Sequence, residues 1–357
     1  DGINSRVREQ FSEQIAPRIS WGKSRFTWLG TTLPLSAFTF IYRHSPHGLF
    51  QVHAYPFQEG LSTFIVECHE DVWRRAGLDR ASEEETVKYC QELFAAELRG
   101  HPLLSNRSIW RSFPTIECAH WYHRNVVLLG DAVHTAHFSI GSGTKLAMED
   151  AIALVDAFQH PDAKADDVPA VLARYEQSRR IDVLKIQKSA ATSMAWFENC
   201  ARYQRQHPIQ FTFNQTTRSQ RITWENLDKR DPEFVGRVRD FYAESQGAPR
   251  QSDGRSPPPM FTPFRLRELR LPNRLVVSPM CMYSAEDGLV NDWHLVHLGS
   301  RAVGGAGLVI TEMTDVSAQG RISPGCAGMY KPEHGAAWQR IVEFVHRHSH
   351  AKIAMQL

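Results

Sequence analysis

Residues 247–259 read Gly-Ala-Pro-Arg-Gln-Ser-Asp-Gly-Arg-Ser-Pro-Pro-Pro, and the patterning of the chain changes across them. Pro, Gly and Ser are dense there and apolar residues almost absent, the composition of a linker rather than of a packed element. The stretch predicts two bodies, 1–246 and 260–357.

Before the linker, apolar residues alternate or cluster with aromatics in four runs: Phe26–Leu29, Ala37–Tyr42, Leu49–Tyr55 and Ser62–Glu67. Polar turns such as Ser45-Pro-His-Gly48 separate them, which predicts an antiparallel meander over about 24–70 with one face on a core or a ligand. Ser82-Glu-Glu-Glu85 is a capping box for a helix ending near Gly100. Val126–Leu129 reads as a short buried strand and about 144–159 as a helix. Asp167-Val-Pro169 starts another helix, running to about Tyr203. Residues 204–246 are polar, with helix from 231.

After the linker, strand Leu275–Ser278, helix His294–Val303, strand Leu308–Glu312, helix Gly335–His350 and strand Ile353–Leu357 follow in turn. Trp338, Ile341, Val342 and Val345 share a helix face. Near-continuous apolar strands alternating with helices predict a parallel sheet, so the fold class is α/β, in part α+β.

The chain has 357 residues, 42% hydrophobic and 22% charged, with a net charge of +2. Such a balance implies no polyanion partner, and neither a basic run nor a nucleic-acid-binding motif is present. No apolar stretch approaches the roughly 18–20 residues of a membrane helix. Six cysteines lack CxxC spacing, which argues against a zinc site or disulfide framework and fits a reducing, cytoplasmic setting. His134/His137, His294/His297 and His346/His348/His350 lack convergent partners for a metal.

Residues 125–151, NVVLLGDAVHTAHFSIGSGTKLAMEDA, hold the first chemical signal. A helix opening at Gly143 presents free N–H groups and a positive dipole end, suited to a phosphate or an anionic ring oxygen. From glycine spacing alone, an ordinary strand-loop-helix joint is the better reading. A Walker A reading fails, because the order is Gly-Thr-Lys.

The full string resembles the second flavin motif of the FAD-dependent aromatic hydroxylases, through Gly130-Asp131-Ala132-Val133-His134 and Gly141-Ser142-Gly143. The Pro-Pro common after that His is replaced by Ala136-His137-Phe138-Ser139. Asp1-Gly2-Ile3-Asn4-Ser5-Arg6-Val7-Arg8 is similar to the same family's Asp-Gly motif. The resemblance implies that Asp1, Gly2, Arg8, Gly130, Asp131, Gly141, Gly143 and Thr144 bind FAD. The Asp1–Arg8 motif is expected near the pyrophosphate and the nicotinamide donor, and the Gly130–His134 run at the ribitol.

In the last segment, Phe261–Phe264, Leu271-Pro-Asn-Arg274, Ser278-Pro-Met-Cys-Met-Tyr283 and Gln319-Gly-Arg321 resemble the old yellow enzyme family of FMN-binding barrels. Taken singly, Cys281 reads as a small buried apolar residue. The resemblance instead places Cys281 on the flavin edge and Tyr283 in the substrate pocket, both as catalytic residues. It implies FMN contacts from Ser278, Pro279, Met280, Cys281, Met313 and Gln356.

Together these segments resemble the bifunctional salicylyl-CoA 5-hydroxylase / 2-aminobenzoyl-CoA monooxygenase-reductase family. That resemblance implies a truncated FAD-dependent hydroxylase fold followed by the first three βα units of an incomplete TIM barrel. It implies hydroxylation of an aromatic acyl-CoA with molecular oxygen, through an FAD C4a-hydroperoxide. The C-terminal half would reduce a ring or enone with FMN and NAD(P)H. The opening Gly-x-Gly-x-x-Gly turn of the hydroxylases is expected before residue 1, and the remaining barrel strands after 357. The chain is therefore expected to be a fragment of a homo-oligomeric parent, inactive alone and a poor binder of both flavins. Two alternatives stand beside this. One is a single-flavin hydroxylase with a nonfunctional tail, the other a non-catalytic nucleotide-binding module.

Overall fold

The computed structural model describes residues 2–164 and 167–357. Two compact units divide the chain at Thr223/Trp224.

The first unit is built on a five-stranded antiparallel sheet. Its strands lie in the order Thr39–Ser45, Gly48–Gln58, Leu61–His69, Ser24–Thr31, Leu103–Leu104. The expected meander is thus corrected in one respect. Ser24–Thr31 comes first in sequence but pairs with Leu61–His69, inside the sheet. Its side chains explain this, because Thr27, Leu29 and Thr31 are buried while Phe26 and Trp28 meet Phe138 on the opposite face. Leu61–His69 pairs along one edge of the strand and Leu103–Leu104 along the end of the other.

Leu29, Phe50, Val52, Ala54, Phe64 and Val66 pack with Cys90, Phe94 and Leu98. Cys90 and Leu98 come from the Glu83–Leu93 and Ala95–Leu98 helices and Phe94 from the junction between them; the first helix starts with the expected Ser82/Glu85 capping box. The opposite face is aromatic and polar. Phe40, His53, Ile65 and Trp28 stand in one cross-strand row, and Tyr42, Gln51, Glu67 and Phe26 in the next. Residues directly opposite on paired strands project to the same side.

The expected Val126–Leu129 strand is shorter than its composition suggests. Only Val126–Val127 pair, with Tyr122–His123. The backbone then turns into a 3-10 segment at Gly130–Ala132. Helix Gly143–Gln159 packs on the long helix Val168–Glu198, which begins with Asp167 accepting from the Ala170 N–H. The long helix stops at Glu198, and Cys200–Tyr203 is 3-10. Helix Pro208–Thr217, absent from the sequence reading, follows; its signal was Pro208 at the first helical turn.

In the second unit, strands Val276–Val277, Leu308–Asp315 and Lys352–Gln356 are parallel, with Leu308–Asp315 central. Helices Asp292–Val303 and Pro332–His348 connect them. Trp338, Ile341 and Val345 are buried with Leu298, Ala302 and Val309. Helices Trp224–Arg230 and Pro232–Ser245 also belong to this unit, so residues 247–259, expected to link two bodies, lie inside it. Arg274 donates to Gln246 Oε1 at 2.7 Å and lies over the Tyr242 and Phe264 rings.

Candidate functional site

The Gly130 turn is held by a buried carboxylate. Asp150 accepts from the Gly130 N–H at 2.9 Å, from His134 Nε2 at 2.7 Å and from Arg179 Nε at 3.0 Å. Arg179 also reaches Glu149 at 2.9 Å. Burial alone would raise the Asp150 pKa. The His134 hydrogen bond and charge, the Gly130 N–H and Arg179 outweigh it and hold the carboxyl below its usual range. Gly130 has φ +59, and a Cβ there would lie 3.0 Å from the Ala147 Cβ. Backbone conformation and helix approach both require glycine.

Seven residues before Asp150, the Gly143–Gln159 helix opens without a side-chain cap. Gly141 sits at φ +63, and a Cβ at either Gly141 or Gly143 would meet nothing within 4 Å. Uncapped first-turn N–H groups beside open space fit an anionic ring edge or phosphate. Thr144 and Asp131 are exposed. Neighbouring protein atoms still desolvate the Asp131 carboxyl and raise its pKa, and His134 partly offsets this.

Arg8 is placed differently from the expected pyrophosphate contact. It is buried, and its guanidinium donates to Ala132 O at 2.6 Å and to Ile3 O. Arg8 therefore braces the Gly2–Asn4 turn against the Gly130–Ala132 turn, joining motifs that are far apart in sequence. Gly2 takes φ +66 in that turn. Asp1 lies outside the described residues.

The first turn and the loop that follows the second border one cavity of about 1120 Å³. Ile3 and Asn4 reach it from the first, and Phe138 from the loop after the second. Phe26, Trp28 and Phe113 complete an aromatic wall, and each packs on the Phe138 ring. Behind Phe138 lies a buried polar layer. His53 Nε2 meets Glu67 Oε2 at 3.0 Å, both 1% exposed or less. His137 Nδ1 meets Ser139 Oγ at 2.8 Å, and Ser139 meets Ser193 at 2.8 Å. Arg218 donates to Ser193 Oγ at 3.0 Å and to Ser139 O at 2.7 Å. Burial pushes the His137 imidazole down to about 4, so it stays neutral at physiological pH. Burial works to raise the Glu67 carboxyl, but its His53 partner holds it low.

The sequence reading gave no role to Asp150, Arg179, His53 or Glu67. Asp150 had a signal, a carboxylate four residues after Leu146 on the buried side of its helix. His53 and Glu67 had none, because their meeting depends on strand pairing.

In the second unit, the expected residues gather at the C-terminal ends of the parallel strands. Met313 stands opposite Gln356 in the ladder. Ser278, Met280 and Cys281 are exposed and Pro279 is half-buried, on the segment that leaves strand Val276–Val277. Cys281, read singly as buried, is the exposed one among the six free cysteines. The segment is fixed at its middle, where the Met282 N–H donates to Glu312 Oε2 at 2.5 Å. Glu312 also contacts His294 Nε2 at 2.8 Å, and His294 Nδ1 meets Asn291 at 3.0 Å. Asn291 in turn holds Ser284 O. Tyr283 adopts φ +54, and a Cβ on Gly325 would lie 2.2 Å from its carbonyl oxygen. These exposed groups around a fixed backbone fit a planar cofactor.

Two family models match the chain. The FAD binding domain covers residues 1–190, and the NADH:flavin oxidoreductase / NADH oxidase family covers 259–357. A salicyloyl-CoA 5-hydroxylase from Streptomyces sp. is 41% identical over 81% of this chain and 55% of its own length. A 3-hydroxy-4-methyl-anthranilyl-[aryl-carrier protein] 5-monooxygenase from Streptosporangium sibiricum is 37% identical over 64% of this chain and 59% of its own. An NADPH dehydrogenase from Bacillus cytotoxicus is 47% identical over 28% of this chain and 29% of its own. The chain spans little more than half the length of the monooxygenases it matches. The family cofactors are FAD for the first segment and FMN with a nicotinamide donor for the second. Half the chain matches one flavin family and the tail a second, in the expected order, so the chain belongs to the FAD-binding-domain flavoenzymes, in the branch that fuses this domain to an old yellow enzyme-like segment.

Proposed function

We propose that the parent protein hydroxylates an aromatic ring held as an acyl thioester, of the salicylyl-CoA or 2-aminobenzoyl-CoA type. Its second segment takes part in an NAD(P)H-dependent reduction of the ring or an enone. The observation that carries the reading is the aromatic cavity lined by Ile3 and Asn4 of the first flavin motif and by Phe138 of the loop between Gly130 and Gly143. The monooxygenase relatives, one named for a CoA thioester and one for a carrier-protein thioester, support the substrate class.

In this reading 1–246 is the monooxygenase part, 247–259 a connecting segment and 260–357 the reductase part; the family matches cover 1–190 and 259–357 of these. Asp1, Gly2, Gly130, Asp131, Gly141, Gly143 and Thr144 contact FAD, and Arg8 supports them from behind. Ser278, Pro279, Met280, Cys281, Met313 and Gln356 contact FMN, and Tyr283 with Cys281 faces the second substrate. FAD, when bound, supplies the activation of molecular oxygen. The chain's own residues bind and orient the ring and exclude water. Phe26, Trp28, Phe113 and Phe138 form an aromatic wall, and His137 behind it is neutral.

The test is to release flavin from the purified chain and to supply FAD, NADH and an aromatic acyl-CoA. FAD and FMN in the extract, and a product heavier by one oxygen, are expected from the complete parent. Hydroxylation of the free acid and not the thioester would reject the substrate class. Absence of any flavin from the parent would reject the enzyme reading.

A further inference from the structure

The cavity is larger than an aromatic ring requires. Its volume of about 1120 Å³ stands at the top of the ~300–1,000 Å³ usual for a ligand cleft, and part of it borders the proposed flavin contacts. Its charge is one-sided. Arg107 and Arg111 line the wall, and no carboxylate does among the described residues. Both are exposed, on the segment that follows strand Leu103–Leu104 along Ser24–Thr31.

That segment is fixed in place. Ser108 is 5% exposed, and its hydroxyl donates to Trp28 O at 2.6 Å. Its N–H donates to Glu83 Oε1 at 2.9 Å, and its carbonyl accepts from Thr27 Oγ1 at 3.1 Å. The Asn106 N–H donates back to Ser108 Oγ at 3.1 Å. Arg107, between them, adopts φ +56. A long side chain in the left-handed region is held there by its surroundings, an arrangement that clusters at ligand sites. Arg111 is anchored separately, by backbone hydrogen bonds with Phe26 in both directions. The exposed indoles of Trp21 and Trp28 share the cavity.

We propose that Arg107 and Arg111 form a phosphate subsite for the carrier arm of the thioester, resting on the acyl-thioester reading above. Arginine favours phosphate because its planar fork makes paired, charge-assisted hydrogen bonds. The shared chemistry is a phosphopantetheine thioester. Its phosphate comes from coenzyme A or from a modified carrier protein.

The test uses the 357-residue chain without added flavin and reads its tryptophan fluorescence, since Trp21 and Trp28 line the cavity. The probes are S-benzoyl-pantetheine, benzoyl-coenzyme A and a carrier protein bearing S-benzoyl-phosphopantetheine. A phosphate-bearing probe is expected to bind about tenfold or more tightly than S-benzoyl-pantetheine at low salt. The advantage shrinks as salt is raised. The Arg107→Gln/Arg111→Gln variant abolishes that advantage and leaves S-benzoyl-pantetheine binding unchanged. Tight binding of benzoyl-coenzyme A alone assigns the subsite to the nucleotide phosphates. Tight binding of both phosphate-bearing probes assigns it to the arm they share, and of the carrier protein alone to a carrier-borne arm. An advantage that survives the double substitution, or no advantage at all, overturns the subsite and leaves the aromatic reading intact. If S-benzoyl-pantetheine also fails to bind, the thioester reading falls with it.

Discussion

Asp150 accepts hydrogen bonds from three groups on two segments, the Gly130–His134 turn and the long helix, and has no exposure to solvent. Asp150→Asn removes the charge that Arg179 and His134 face. Breaking a buried pair from one side costs about 3–5 kcal/mol, so denaturant unfolding of the variant should shift by that order. His137 makes a different prediction. Its pKa is lowered from 6.5 to about 4, so below pH 6.5 the unfolded chain takes up a proton that the native protein refuses. Its contribution is fully present above pH 6.5 and is lost as pH falls towards 4, by roughly 3 kcal/mol. His137→Gln should flatten stability against pH in that window, measured by denaturant titration at stepped pH values.

At the scale of elements, the chain's two flavin motifs were legible, and the helices at 143–159 and 168–198 begin within a residue of where their caps and glycines put them. Local chemistry fixes such starts. The position of the Ser24–Thr31 strand was not legible, because an antiparallel strand can pair with any neighbour of matching pattern. The polar layer behind Phe138 was hidden for the same reason. Arg8 shows a subtler limit, since its motif was recognised but its direction depends on where Ala132 and Ile3 fold. The loop at 278–285 carries the prediction for this scale. Gly325→Ala would push a methyl into the Tyr283 carbonyl. Cys281 should then react with a thiol reagent at a changed rate, while helix content by circular dichroism stays constant.

For the whole molecule, separate cores matter most. The second unit's core of Trp338, Ile341, Val345, Leu298 and Val309, with the residues packed against it, lies within 277–355. Calorimetry should therefore resolve two transitions. Trp338 is 2% exposed, and Trp338→Ala should destabilise its unit by about 3–5 kcal/mol. Only one transition should move.

The Gly143–Gln159 helix carries its uncapped end and Asp150 on one rigid rod. At 1.5 Å per residue, the carboxylate sits ~10 Å along the axis from that end. Asp150 is thus a depth stop for the helix, setting how far its open end projects toward whatever it binds. With FAD seated on that end as proposed, substitution of Glu149 or Arg179 should change FAD affinity, measured by flavin fluorescence titration, with the cavity wall left unaltered.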